Sequence, residues 1–446
     1  MVDVVLQCLA EHKYIQVKET VREMHYADVA EVFERLEDEE SARLLFRLLP
    51  KDIAAEVFSY MEAEDQEQLI STVSDKELRF ILDELYLDDY VDLVEEMPAN
   101  VVKRILKNSS PESRKLINQY LQYPDDSAGS LMTNEYVYLK RTTTVNQALG
   151  VIRATGVDKE TINKCYVLDS RHHLEGVVTL RDIILADPDC VMEDIMRTSV
   201  ISANTNEDQE EVAKMFYKYD MLSMPVVDNE NRLVGIITID DVVDVVQEEV
   251  TEDFEKMAGI LPSEDTYLKT PVFTLFKSRI LWLMVLMVSA MVSGALMTRF
   301  EGAIAALPLL VSFIPMLMGT GGNSGSQSST TIIRSMSLDE IELSDFFRVW
   351  WKEVRIALLC GAALALVNFA RIYFQYHDGV IAMTVSLTLI VTVVIAKSLG
   401  CILPMLAKKL KLDPALMASP MLTTITDAAS ILVFFMFVMV FLGDKL

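Results

Sequence analysis

The chain has 446 residues, a net charge of −26, 51% hydrophobic residues and 24% charged ones. That acidity excludes a nucleic-acid binder, which works by releasing counterions with cationic side chains. The apolar content excludes an ordinary soluble enzyme, and five cysteines with no C-x-x-C pair exclude a disulfide scaffold or a thiolate zinc site.

The charge is unevenly placed. Residues 271–446 carry 13 Lys+Arg against 10 Asp+Glu, a net of +3. The remaining 27 basic and 56 acidic residues, a net of −29, lie in residues 1–270. An acidic half therefore precedes a near-neutral apolar half. Val4 to Ala10 is too short and lacks the basic start of a signal peptide, so the acidic half is expected in the cytoplasm.

Residues 28–110 repeat with a beat of about 12: Leu36, Leu49, Met61, Val73, Leu85 and Met97. Each unit, such as DIAAEVFSYM, is a short apolar helix that buries its face only by stacking on neighbours. The reading is an all-α superhelical repeat domain over 1–125. Acids recurring after each break, at Asp52, Asp65 and Asp88, are expected to serve widely as N-caps.

Residues 126–246 hold a duplication. YVLDSRHHLEGVVTLRDIIL parallels PVVDNENRLVGIITIDDVVD, with Gly176 and Gly235 in matching places. Met132 and Met196 open the two copies, and a small insertion falls near Val157–Ile162. Each copy reads strand, helix, strand, turn, strand, helix. This resembles the α/β CBS-domain pair, with copies at 126–186 and 187–246. The resemblance implies a regulatory module that often binds adenine nucleotides such as ATP. A ligand-free structural pair is the plainer alternative, and His172 and His173 read as hairpin-loop residues rather than metal ligands. A strongly acidic connecting helix is expected over 247–270.

Residues 271–446 are expected to form a transmembrane domain with five helices. The apolar stretches run between Arg279 and Arg299, from Gly302 to near Gly319, over 353–374, over 379–407 and over 414–443. Basic residues gather at Lys277 and Arg279, at Arg334, Arg348 and Lys352, and at Lys408, Lys409 and Lys411. That pattern puts the N-terminus inside and the C-terminus outside the cell membrane.

Two segments carry chemistry. FIPMLMGTGGNSGSQSST, expected at the cytoplasmic end of the second span, has glycines that permit unwound backbone or close approach. A plain helix stop would use them too. In the last span, Asp413 and Pro414 read as an N-cap pair, and Pro420 is expected to kink the helix. Asp427, about 20 Å of helix beyond Pro414, lies near the midplane. No cation is expected opposite it, since Lys397 should snorkel to the surface. Hydroxyls at Thr423, Thr424 and Thr426 complete an all-oxygen site, which suits Mg2+ held through its waters.

With these residues assembled, the chain resembles the MgtE family of magnesium channels/transporters over essentially its full length. The resemblance rests on Pro315 with Gly319, Gly321, Gly322, Asn323, Gly325 and Gln327, on Asp413 to Ala415, and on the TTxxD run ending at Asp427. It implies a homodimer in the lipid bilayer, with no enzymatic activity and with a pore between the second and fifth spans. Asp427 and the Thr423 carbonyl would hold hydrated Mg2+. Regulatory Mg2+ would bind Asp88, Asp89 and Asp92; Asp208, Glu210 and Asp220; and Asp241, Asp244, Glu249, Glu252 and Asp253, shutting the pore when Mg2+ is abundant. Ser419, Ser430 and Ser335 stand where the family often has glycine. Rival readings are a Mn2+ or Co2+ carrier, a non-transporting membrane sensor, and an enzyme of lipid or phosphate chemistry.

Overall fold

The computed structural model describes residues 1–36, 38–262, 267, 270–417 and 419–443, and divides into two compact units, Met1–Val246 and Gln247–Leu446.

The first unit opens with ten helices of nine or ten residues: Val2–Ala10, Tyr14–Glu23, Tyr26–Glu34, Glu39–Leu48, Lys51–Ser59, Ala63–Thr72, Asp75–Glu84, Leu87–Glu96, Ala99–Asn108 and Pro111–Tyr120 (α1–α10). Their first residues recur every 12 positions, with one step of 13, so the repeat begins two units earlier than the sequence reading placed it. One core of Val5, Val21, Phe33, Leu45, Phe58, Ile70, Ile81, Leu93 and Ile105 runs through the stack. The acids expected as caps sit inside the helices instead. Asp65 and Asp88 fall in first turns, where the helix dipole favours negative charge, and the side chain of Asp52 lies outside what the structure describes. Capping belongs to other residues: Asp38 accepts the Ser41 N–H, and Ser74 forms a capping box with Glu77.

Two three-stranded sheets follow, ordered β1-β2-β3 and β4-β5-β6, each with a parallel then an antiparallel pairing. The first holds Tyr136–Leu139, Thr161–Leu168 and Leu174–Thr179, with α11 (Val145–Thr155) and α12 (Leu180–Leu185). The short α13 (Met192–Ile195) leads to the second, of Ala203–Asn204, Ser223–Val227 and Leu233–Thr238, with α14 (Gln209–Tyr219). The opening segments are exchanged between copies. Thr133 and Ile236 trade both backbone bonds at 2.8 Å, and Val177 and Arg197 do the same at 3.0 and 2.9 Å. This explains the paired glycines: a Cβ on Gly235 would strike Met132, and one on Gly176 would strike Met196. His173 Nδ1 meets Asp169 Oδ2 at 2.8 Å, closing the hairpin loop.

The next helix, α15, is continuous over Ile239–Ala258 and ends at Gly259, whose φ of +71° suits glycine. The connecting helix was expected over 247–270; it starts inside the second CBS copy and stops at Ala258. Residues 263–266 and 268–269 of that stretch lie outside the described residues.

The second unit holds five long helices: α16 (Val272–Arg299), α18 (Ile314–Ser337), α19 (Phe346–Tyr376), α20 (Gly379–Lys409) and α21 (Ser419–Leu442), with a short α17 (Glu301–Ala306) after the first. Spans over Val272–Arg299, Leu343–Tyr376, Gly379–Lys409 and Pro414–Leu442 are long and apolar enough to cross a membrane, with mean hydropathies of 2.3, 1.8, 2.5 and 2.4. The second span is not where the apolar run put it. Residues 302–313 break into α17 and a 3-10 turn at Pro308–Phe313, and the long helix covers 314–337. Its glycine motif is therefore mid-helix, neither unwound nor a helix stop.

Candidate functional site

The glycines of α18 set how closely helices approach it. A Cβ on Gly321 would meet Ser430 Oγ and Thr392 Cγ2 at 3.0 Å, and one on Gly322 would meet Thr423 Cγ2 at 3.1 Å. One on Gly325 would meet Leu422 at 3.0 Å and the Ala396 carbonyl at 3.1 Å. Gly400 of α20 is tighter still, since a Cβ there would strike the Gly325 carbonyl oxygen. Small residues thus let α18, α20 and α21 pack with little between their backbones. The opposite face of α18 is bare. Pro315, Gly319, Asn323, Gln327 and Thr331, four residues apart, are all exposed. Were this face in hydrocarbon, its amides and hydroxyl would call for water or protein against them.

Helix α21 carries the acid. Asp413 accepts the Ala415 N–H at 2.8 Å and so caps the 3-10 turn Pro414–Met417. The described α-helix runs from Ser419, so Pro420 lies in its first described turn, where a missing N–H costs no intrahelical bond. The interior proline is Pro404, in α20. Asp427 is eight residues into a 24-residue helix, about 12 Å of rise from its start. That is one-third of the way along the helix.

Asp427 lines a cavity of about 330 Å³ with Pro420, Thr423 and Thr424 of α21 and Leu286, Ser289, Ala290 and Ser293 of α16. Its carboxylate has no hydrogen bond or ion pair among the described residues. The Thr423 carbonyl accepts the Thr426 hydroxyl at 2.9 Å, and Pro420's carbonyl accepts the Thr424 hydroxyl at 3.2 Å. Within one chain the cavity lies between the first and fifth long helices, while Gly322 of α18 abuts Thr423 at its edge. Sequence reasoning missed Ser289 and Ser293. Their signal was present: Ser278, Trp282, Leu286, Ser289 and Ser293 form the covered face of an otherwise exposed helix.

Lys397 does not snorkel. It is 5% exposed, and its ammonium donates to Ser328 Oγ at 3.1 Å beside the carboxylate of Glu353.

In the first unit, acids from five distant stretches converge. Asp88 and Asp89 open α8, Glu160 precedes β2, Asp241 opens α15, and Glu56 and Glu135 stand near enough to act on them. Asp88 is 8% exposed, and its Oδ1 has no hydrogen-bond partner. Burial, then the charge of Asp89, pushes its carboxyl up to about 7. Burial, then Asp241, does the same to Asp89. Burial, then Asp88, raises Glu160 to about 8 and Asp241 to about 7, even though Asp241 accepts the Thr238 hydroxyl at 2.7 Å. Asp92 is exposed, yet the protein around it and then Asp88 and Glu96 push its carboxyl up. Burial, then Asp240, raises Asp244 as well.

A family model described as a divalent cation transporter matches residues 314–437, one for the MgtE intracellular N domain matches 24–126, and CBS models match 128–189 and 192–248. A magnesium transporter MgtE of Thermus thermophilus is 36% identical over 432 residues, 96% of this chain and 95% of the relative. The chain belongs to the MgtE family. A second such transporter, from Bacillus subtilis, is 32% identical over 96% of this chain and 94% of its own length. Among solved structures, the cytosolic domain of the Mg2+ channel MgtE in complex with ATP is similar at 38% identity. Its TM-score is 0.52, and the match covers 55% of this chain and all of that one. The relatives are transporters rather than enzymes, and the apolar helices fit a membrane protein.

The remaining expected ligands are scattered. Asp208 caps α14 by accepting the Glu210 N–H at 2.9 Å, Glu210 pairs with Lys214 at 3.1 Å, and Asp220 ends the same helix at φ 49°. Asp208 and Asp220 therefore stand about 18 Å apart along α14 and do not form one site. Glu249, Glu252 and Asp253 share one face of α15, and Glu252 bonds Lys256 at 2.7 Å. Lys256 also reaches Asp413 at 2.7 Å, and Leu261 N–H donates to the Ser278 carbonyl at 3.0 Å. The end of α15 is thus tied to both helices that line the Asp427 cavity. No three His, Cys, Asp or Glu side chains among the described residues close on one point as a ready metal cage.

Proposed function

We propose that this chain carries Mg2+ across the cell membrane as a homodimer, with Asp427 in the conduction path and cytosolic Mg2+ closing it. The observation that carries the reading is Asp427 itself: a carboxylate in an apolar helix, without a partner among the described residues, lining a cavity that Ser289, Ser293, Thr423 and Thr424 also line. An intramembrane acid without a counter-ion needs water, a proton or a cation beside it. Hard oxygen donors with no sulfur or imidazole favour Mg2+ over softer metals. The bare polar stripe of α18, which includes Gly319, Asn323 and Gln327, supports a second copy across an aqueous path. Gly321, Gly322 and Gly325 hold α18 against α21, Pro420 starts α21 at the cavity rim, and Thr423 adds a hydroxyl and a carbonyl. The relatives' names, magnesium transporter, agree with this substrate.

Closure by Mg2+ follows from the convergent acids. Asp88, Asp89, Asp92, Asp241 and Asp244 repel one another at neutral pH, and a divalent cation removes that cost only where they are held together. Asp208, Glu210 and Asp220 and the α15 face of Glu249, Glu252 and Asp253 add further sites. In this reading residues 1–125, the CBS copies at 126–186 and 187–246, and the connecting stretch 247–270 regulate residues 271–446. The N-terminus is cytoplasmic and the C-terminus external. ATP is assigned to the CBS pair on the strength of the ATP complex of the 38%-identical relative.

Purified protein in liposomes tests the pathway. Asp427→Ala is expected to abolish Mg2+ uptake while the protein still elutes as a folded dimer. Unchanged flux would overturn the assignment.

A further inference from the structure

Two charged side chains are buried in the membrane unit away from Asp427. Glu353 of α19 is 7% exposed, and Lys397 of α20 is 5% exposed. Between them stands Ser328 of α18, 2% exposed. The Ser328 hydroxyl donates to Glu353 Oε2 at 2.5 Å and accepts from Lys397 Nζ at 3.1 Å, and the two charges lie 4.0 Å apart. The triad is neutral in sum, and it links three helices at one point.

Its placement is specific. Glu353 is seven residues into α19, about 10 Å of rise, and Lys397 is 12 residues from the end of α20, about 18 Å. The two side chains are buried against each other, and removing one leaves its partner without the group it faces. A hydrophobic residue at either position would pack α19 on α20 more cheaply, so affinity between those two helices does not explain the pair. What the pair adds is direction. It converges on one hydroxyl of α18, midway between the large buried side chains at that helix's two ends, Ile314 and Leu317 and then Ile332 and Met336, where glycines and serines otherwise make the contact. Ser328 directly follows Gln327, and successive residues of a helix point about 100° apart. Holding Ser328 inward therefore turns Asn323 and Gln327 outward. One turn from Lys397, Gly400 lets α20 approach Gly325 closely enough for the lysine to reach.

We infer that Glu353, Ser328 and Lys397 form an intramembrane charge lock that fixes the rotation of α18 and so the face its motif presents to the ion path. These are positioning residues. The inference rests on the reading of the Asn323–Gln327 face as wet, and its test separates the two.

Single cysteines are placed at Asn323, Gln327 or Ser324 in full-length protein whose five native cysteines are replaced, reconstituted in liposomes. Labelling by a membrane-impermeant thiol reagent is followed with Mg2+ flux. With the triad intact, cysteines at 323 and 327 are expected to react at least tenfold faster than one at 324. Glu353→Gln or Lys397→Met is expected to collapse that ratio to less than threefold and to lower flux at least tenfold. The double variant Glu353→Gln/Lys397→Met, which is neutral again, recovers protein yield if the singles fail to fold. It is still expected to lose the labelling ratio, because no charge draws Ser328 inward. Ser328→Ala, which keeps both charges, is expected to fall between. A merely structural pair would change yield and stability without moving the labelling pattern. An unchanged ratio in the double variant and in Ser328→Ala overturns the lock. Unreactive cysteines at 323 and 327 with the triad intact overturn the wet-face reading instead, and the lock with it.

Discussion

Asp88→Asn isolates the cost of gathering acids in the cytosolic unit. The Asp88 carboxyl rises from 3.8 to about 7 on folding, chiefly through burial and then through Asp89. The folded state therefore holds a proton that the unfolded chain has released between pH about 4 and 7. Stability falls as pH rises through that window and levels off above it. At about 1.4 kcal/mol per pH unit, the full penalty is about 4 kcal/mol at pH 8 and about 1.6 kcal/mol at pH 5. Asparagine fills the same space without charge, so the variant should be more stable than wild type by roughly these amounts in chelator. For a unit of this size about 1 kcal/mol moves Tm by about 2–4 °C, giving a gain of up to about 8–16 °C at pH 8 and less than half of that at pH 5. Residues 1–246 suit the measurement, because they form one compact unit whose relatives are solved as a separate domain. Thermal melts would be run at both pH values with EDTA or 10 mM Mg2+. Mg2+ should raise the wild-type Tm strongly at pH 8, weakly at pH 5, and raise the variant less at either. A wild-type Tm that is flat from pH 5 to 8 in EDTA, or a variant no more stable than wild type at pH 8, would refute the reasoning.

Other outcomes follow from the same geometry. The triple variant Asp241→Asn/Asp244→Asn/Glu249→Gln should leave flux open at Mg2+ concentrations that close the wild type, and closure at the wild-type concentration would remove those positions from the sensor. Lys256→Met cuts the ties to Glu252 and Asp413 that hold the end of α15, so flux at high Mg2+ should rise in liposomes. Gly400→Ala drives a methyl into the Gly325 carbonyl oxygen. It should cost about 1–3 kcal/mol, read as a lower Tm in detergent, while Gly294→Ala, with open space around it, should melt like wild type.

Much of the architecture was legible because it is periodic. The 12-residue beat, the doubled CBS pattern and the apolar runs each encode an element whose burial requirement is visible in one stretch of chain. The errors fall where a run was read without its packing. The apolar stretch 302–319 is long enough to span, yet Pro308 and the following residues wind into a 3-10 turn, and the more polar 314–337 makes the helix because α20 and α21 cover it. Pro420 was expected to kink a helix, and it stands in that helix's first described turn. Convergence was harder still. Glu56, Glu135 and Glu160 are separated by up to 104 positions and show no common spacing, so nothing local marks them as neighbours of Asp88 or Asp89. Glu160 lies in the short insertion that breaks the symmetry between the CBS copies, and that break was the available hint that the first copy does something the second does not.

Lys397 shows the same limit from the other side. A lone lysine near a helix end is correctly expected to snorkel when its partner is unknown. Glu353, 44 residues earlier, looked like the boundary of the weakest span, so neither residue advertised the other. Only the close crossing allowed by Gly325 and Gly400 brings α19 and α20 around Ser328 and turns two apparent boundary charges into an internal pair. The glycine motif therefore acts on both faces of α18. Its small residues let the covered face reach the charges that orient it, and its amides stand on the face that orientation leaves bare.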